Sequence, residues 1–144
     1  MIERDTIRLL RECDAGVKMG ISSIDDVIGR VSSDQFKSRL NACKDEHEKL
    51  EKEIEGELNK YEDKGKNPNP IAKGMSYLKT NMKLLVSPSD RTIADLMIDG
   101  CDMGVKSLNK YLNQYEAADE VSKDITKRLI NLEEELRDGI KEFL

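Results

Sequence analysis

The chain has 144 residues, 37% of them charged and 38% hydrophobic, with no Trp, two Phe, four Tyr and three Pro, a net charge of −5 and a pI near 5.1. That length suits one domain with a real core, and the shortage of β-branched and aromatic residues predicts a helical protein rather than a strand-rich one. An acidic surface repels phosphate backbones, so nucleic acid is not an expected partner, and no run approaches the eighteen apolar residues of a spanning helix.

Residues 3 to 31 form the first amphipathic segment. Leu10, Cys13, Val17, Ile24, Ile28 and Val31 recur at three-and-four spacing and wind onto one helix face. Ser32 to Gln35 breaks the pattern, and Ser32 with Gln35 has the spacing of a capping box. A second helix is predicted over 34 to 61, with Phe36, Leu40, Cys43, His47, Leu50, Ile54 and Leu58 inward. Its outer face offers Asp45–Lys49, Glu48–Lys52 and Glu57–Lys60 as ion pairs, each worth a few tenths of a kcal/mol.

Glu62 to Pro70 carries Gly65, Pro68 and Pro70, which exclude regular helix. A shorter helix over 70 to 85 follows, with Ile71, Met75, Leu78, Met82 and Leu85 on one side; at 1.5 Å per residue it carries the chain roughly 22 Å. Lys73 to Lys83 holds three lysines, read as a solvated face rather than a basic patch. Ser87 as cap and Pro88 in the first turn predict a long helix from 88 to about 115. After a turn at 116 to 118, the last helix, 119 to 143, points Val121, Ile125, Leu129, Leu132, Leu136, Ile140 and Phe143 inward.

Cys13-Asp14-Ala15-Gly16-Val17-Lys18 returns as Cys101-Asp102-Met103-Gly104-Val105-Lys106, five of six positions identical at an offset of 101 − 13 = 88. The apolar flanks keep register: Leu10, Cys13, Val17 and Ile24 become Ile98, Cys101, Val105 and Leu112. The match predicts a duplicated helical unit. A single all-α domain over 1 to 144 follows, with one antiparallel hairpin at 3–61, a crossover at 62–87 and a second hairpin at 88–144, related by a pseudo-two-fold.

With its paired Cys-Asp-x-Gly-Val-Lys helices and the run from Tyr77-Leu78-Lys79 into Asp90 to Leu112, the chain resembles the ferritin-like superfamily. It is most similar there to an uncharacterised bacterial family of four-helix bundles with duplicated hairpins and a helical crossover. The resemblance implies a four-helix bundle that self-associates, most simply as a homodimer, with Leu84, Leu85 and Val86 as the contact. Superfamily members that bind two metals use a Glu on two helices and Glu-x-x-His on the other two. This chain departs from that pattern: Lys44 stands three before its one histidine, His47, and Glu133 is followed at the equivalent place by Leu136.

The constellations that remain are soft. Cys13, His47 and Cys101 lie on inward stripes near mid-bundle and are the candidate metal ligands; Cys43 lies too far along the axis to join Cys13. Buried free cysteines more commonly act as small hydrophobes. Asp14 and Asp102 each precede a lysine by four residues, which reads as an exposed ion pair. Gly16 and Gly20, and Gly100 and Gly104, are each four apart. Mid-helix glycine costs up to about 1 kcal/mol against alanine, and close crossing of the first and third helices is the expected compensation, with an opened cavity as the alternative.

No phosphate loop, nucleophile elbow, Cys-x-x-Cys or dinucleotide fingerprint is present. The function expected is a non-catalytic bundle acting as a self-associating or partner-binding module. The alternatives are a metal-binding or redox bundle and a bundle that sequesters a small ligand. Met1-Ile2-Glu3-Arg4-Asp5 lacks a signal peptide's basic start and apolar stretch, and three cysteines suit reduced thiols, so the expected location is cytoplasmic.

Overall fold

A computed structural model describes residues 2–67 and 89–144. Four long helices account for most of them: α1 (Ile2–Ile28), α2 (Asp34–Asn59), α3 (Asp90–Gln114) and α4 (Glu120–Gly139), followed by a 3-10 turn at Lys141–Phe143. No strand occurs among the described residues, and none of the described helices is long and apolar enough to cross a membrane. The expected helix over 70 to 85, the lysines from Lys73 to Lys83 and the contact at Leu84, Leu85 and Val86 lie outside the described residues.

Capping shifts several expected boundaries by a few residues. Ser33, not Ser32, caps α2: its side chain accepts from the Phe36 amide at 3.2 Å. Ser89 caps α3 through the Thr92 amide, so that helix begins at Asp90 rather than at 88. Asp119 caps α4 through the Ser122 amide at 2.8 Å. Each oxygen satisfies an amide that the first turn leaves without a helical partner. The last helix ends at Gly139, earlier than 143, and a 3-10 turn lets Phe143 stack on Phe36 with ring centroids 4.7 Å apart.

Contacts at the ends set the helix directions. The amides of Ser32 and Ser33, between α1 and α2, donate to the Asp90 carboxylate at 2.8 and 2.9 Å, tying that turn to the start of α3. At the other end the Ala117 and Asp119 amides donate to Asp5 and Thr6, tying the turn after α3 to the start of α1. So α1 and α3 are antiparallel neighbours, as are α2 and α4. The chain leaves α2 at one end of the bundle and starts α3 at the other. Helix α1 packs on all three others, whereas α2 and α3 lie across the long diagonal and barely meet.

The core falls into two clusters along the axis. One, toward the Ser32–Ser33 end, gathers Ile24, Phe36, Leu40, Ile93, Cys101 and Ile140 among others. The second, toward the Asp119 end, gathers Leu10, Cys13, Val17, Ile54, Leu58 and Ile125. Burial of each large aliphatic or aromatic side chain stabilises the fold by about 1.5–3 kcal/mol. The stripe of α2 is buried in full as expected, from Phe36 to Leu58. Val121 departs from expectation: it is 49% exposed, because Ser122, one residue on, takes the inward place beside the cap.

The outer face of α2 also differs in detail. Glu57 pairs with Lys60 at 2.7 Å as expected, but Lys49 turns back to Glu46 and Lys44 reaches across to Asp25. Screened pairs of this kind contribute little to stability.

Candidate functional site

The face that α1 and α3 turn toward each other is where the glycines lie. Four residues apart on a helix means one face, so Gly16 and Gly20 line one wall and Gly100 and Gly104 the facing one. The backbones do not close on each other there. A Cβ built at Gly100 meets nothing among the described residues within 4 Å, and the atoms nearest to one at Gly104 are those of the Glu133 side chain, 3.7 Å away. Among the described residues the expected tight crossing is therefore corrected in favour of its alternative: the side chains missing at Gly100 and Gly104 leave a groove of about 360 Å3. Its walls include Met19, Met97 and Met103, unbranched side chains that adapt to irregular shapes.

The floor comes from the other two helices. His47 stands on the buried stripe of α2 and is 1% exposed. Its Nδ1 lies 2.8 Å from the Cys43 carbonyl oxygen, which only accepts, so Nδ1 carries a hydrogen. Its Nε2 lies 3.0 Å from Glu133 Oε1 on α4. Burial by itself works against the imidazolium, but hydrogen bonds to Cys43 and Glu133 outweigh it and raise His47 to about 10. The result is a buried imidazolium–carboxylate pair. Gly20 makes room for it: a Cβ there would stand 2.8 Å from Nε2. The two residues that stood out separately in the sequence form one fitted arrangement.

The expected metal ligands are distributed as follows. His47 and Cys101 come together at the floor, where the Cys101 thiol faces Glu133. Cys43 joins them, its sulfur 3.4 Å from His47 Nδ1. Cys13 sits in the other core cluster, 3.1 Å from the Thr126 hydroxyl. Among the described residues no group of three or more His, Cys, Asp or Glu side chains is disposed to hold a metal ion. Burial pushes the Cys13 thiol up to about 12, and burial followed by the Glu133 carboxylate pushes Cys101 well above its ordinary value. Both remain thiols at neutral pH, whereas the thiolate is the nucleophile and the ligand.

Glu133 matches no ligand pattern in the sequence, because Leu136 stands where a ligand would follow it. The usable signal was its position: four after Leu129 and three before Leu136, it interrupts an apolar stripe with an acid.

A second polar cluster lies on the α2 side of α1. Asp14 forms the expected pair with Lys18 at 2.8 Å, but on a buried face rather than an exposed one: Asp14 is 1% exposed. It also accepts from the Lys66 amide at 2.8 Å. This loop contact requires Gly65, whose φ is 81° and whose Cβ, if it had one, would collide with the Asp14 carboxylate. Glu51 shares the site. Burial first, then the hydrogen bond to Asp14 and its charge, raises Glu51 to about 9, so Glu51 keeps its proton beside an ionised Asp14. Asp102, the counterpart of Asp14 in the second hexapeptide, is exposed and pairs with Arg137 at 3.3 Å instead of Lys106.

Comparison with known proteins returns no matching family model, no matching curated protein and no matching solved structure.

Proposed function

We propose that the chain is a non-catalytic, ferritin-like helical bundle that sequesters a small molecule in the groove between α1 and α3. The observation that carries this reading is the groove itself. Helix α3 omits two side chains, at Gly100 and Gly104, on the side it turns to α1, and about 360 Å3 stays open among the described residues. Interiors built for stability alone are filled to the density of organic crystals, and glycine inside a helix costs up to about 1 kcal/mol. A volume at the small end of the range for ligand pockets, roughly 300–1,000 Å3, gives that cost a use.

The helix directions support the ferritin-like part of the reading, because α2 ends at one end of the bundle and α3 starts at the other. The metal or redox alternative draws less support, with Cys13 in a different cluster and two thiols held protonated. Self-association draws less too: the large exposed hydrophobics among the described residues are Ile2, Met103 and Val121 on three different helices and Leu144 after the 3-10 turn. A homodimer in the cytoplasm is compatible with the groove and adds nothing to it.

The test is a thermal-shift screen with small apolar molecules on the natural chain and on a Gly100→Leu/Gly104→Leu variant. A ligand that binds only the folded state raises Tm by mass action. Several probes should raise the Tm of the natural chain and none that of the filled variant. A natural chain indifferent to every probe would overturn the reading.

A further inference from the structure

We infer that the ligand of this groove is an uncharged, mainly apolar molecule carrying one hydroxyl or N–H group, which it donates to Glu133. The inference rests on the groove being a ligand site and names the chemistry that the site selects.

The argument starts from the free valences of the floor. His47 has none to offer: both ring nitrogens are engaged, one by the Cys43 carbonyl and the other by Glu133 Oε1. Glu133 has capacity left. A carboxylate accepts at about four positions, and its second oxygen, Oε2, lies 3.7 Å from where a Cβ on Gly104 would stand, on the groove side. A molecule occupying the space left at Gly100 and Gly104 therefore meets a hydrogen-bond acceptor, and among the described residues the floor offers it no unengaged donor, since the Cys101 thiol is itself turned to Glu133.

Charge then separates the donors. The Glu133 carboxylate is already balanced by the His47 imidazolium at 3.0 Å. At the rim, Glu12 is balanced by Lys66 at 2.7 Å. An ammonium would bring a third, uncompensated charge onto a paired floor between apolar walls, and desolvating it is expensive. A carboxylate or phosphate ligand would face Glu133 itself. A neutral O–H or N–H makes the same hydrogen bond without importing charge, and a charge-assisted bond of this kind is stronger than one between neutral partners. The methionine walls suit the apolar remainder of such a molecule.

Three matched probes decide it: 2-naphthol, naphthalene and 2-naphthylmethylamine, the last protonated at pH 7. Titration calorimetry on the full chain at pH 7 should show 2-naphthol binding at least about tenfold more tightly than naphthalene, and the amine at least about tenfold more weakly than 2-naphthol. Gly100→Leu should abolish binding of 2-naphthol while circular dichroism shows an unchanged helix content. Glu133→Leu should remove the preference for 2-naphthol over naphthalene while leaving naphthalene binding in place. Equal binding of 2-naphthol and naphthalene, or tightest binding of the amine, would overturn the ligand chemistry and leave the groove as a binding site. Failure of all three probes, or 2-naphthol binding indifferent to Gly100→Leu, would overturn both.

Discussion

The hexapeptides at 13–18 and 101–106 share five residues and have different surroundings. In the first copy and its flanks, Leu10, Cys13, Val17 and Ile24 are all buried; in the second, only Cys101 is, while Ile98, Val105 and Leu112 are partly covered. Asp14 is buried against Lys18 and the loop at Gly65, whereas the Asp102 side chain is 55% exposed against Arg137. The cause is placement. Helix α1 packs on three helices, and α3 lies across the long diagonal from α2, with the groove on its inner side. Equal residues therefore meet unequal surroundings, and the less covered copy is the one with open space at the adjacent Gly100.

The largest expected difference between the copies is at the aspartates. Asp14→Ala removes the carboxylate partner of Lys18 and the acceptor of the Lys66 amide and should cost about 3 kcal/mol in denaturant unfolding. Asp102→Ala should leave the unfolding midpoint unchanged, because an exposed pair contributes little. Equal losses would break the comparison. Next comes the valine pair. Val17→Ala opens a fully buried position and should cost about 2 kcal/mol, whereas Val105→Ala, only partly covered, should cost clearly less.

The pH dependence of stability should come from the first copy and the floor of the groove. Folded Glu51 holds a proton from its ordinary 4.5 up to about 9 that the unfolded chain has released. Folded His47 does the same from 6.5 up to about 10. Wherever the folded state binds more protons, stability falls as pH rises. The Tm should therefore decline between pH 6.5 and 9.5. Glu51→Gln, which cannot ionise, should flatten the decline and leave the variant more stable than the natural chain at pH 9.5; an unchanged slope would remove Glu51 from the account. On the acid side Asp14, held below its ordinary value by hydrogen bonds that outweigh its burial, gives stability that is lost as pH falls through its folded value.

The smallest effect is the sharpest test of the groove. Gly100→Ala should stabilise by up to about 1 kcal/mol, since a methyl there meets nothing among the described residues and alanine is the better helix former. Gly20→Ala should destabilise, because its methyl presses on the His47 ring. If both stabilise, His47 is not seated where the structure puts it.

Much of the architecture was legible because helices declare themselves locally. The stripe from Phe36 to Leu58 repeats at three and four, and three and four is the geometry of a helix face whatever it packs against. Gly65 announced a break for the same reason, by its own backbone freedom, and it does adopt a positive φ. Boundaries were less legible: Ser32 and Ser33 are equally good caps in isolation, and the Asp90 carboxylate, 57 residues on, engages both amides and leaves the Ser33 hydroxyl for Phe36. The site was legible in parts only. His47 and Cys101 were visible as misfits on apolar stripes, but Glu133, Glu51 and the open space at Gly100 belong to relations between helices.

By itself the sequence determined four amphipathic helices, the turns that divide them, the repeated hexapeptide and the burial of the lone imidazole. Periodicity, capping and glycine chemistry act over a few residues and need no partner. Tertiary structure alone decided that α1 sits among three helices and α3 beside a groove. That arrangement puts Glu133 against His47, separates Cys13 from Cys101, and leaves the glycines apart instead of in contact. The physical reason is that charge pairing, desolvation and packing depend on distances across the bundle, which the order of residues along one helix does not contain.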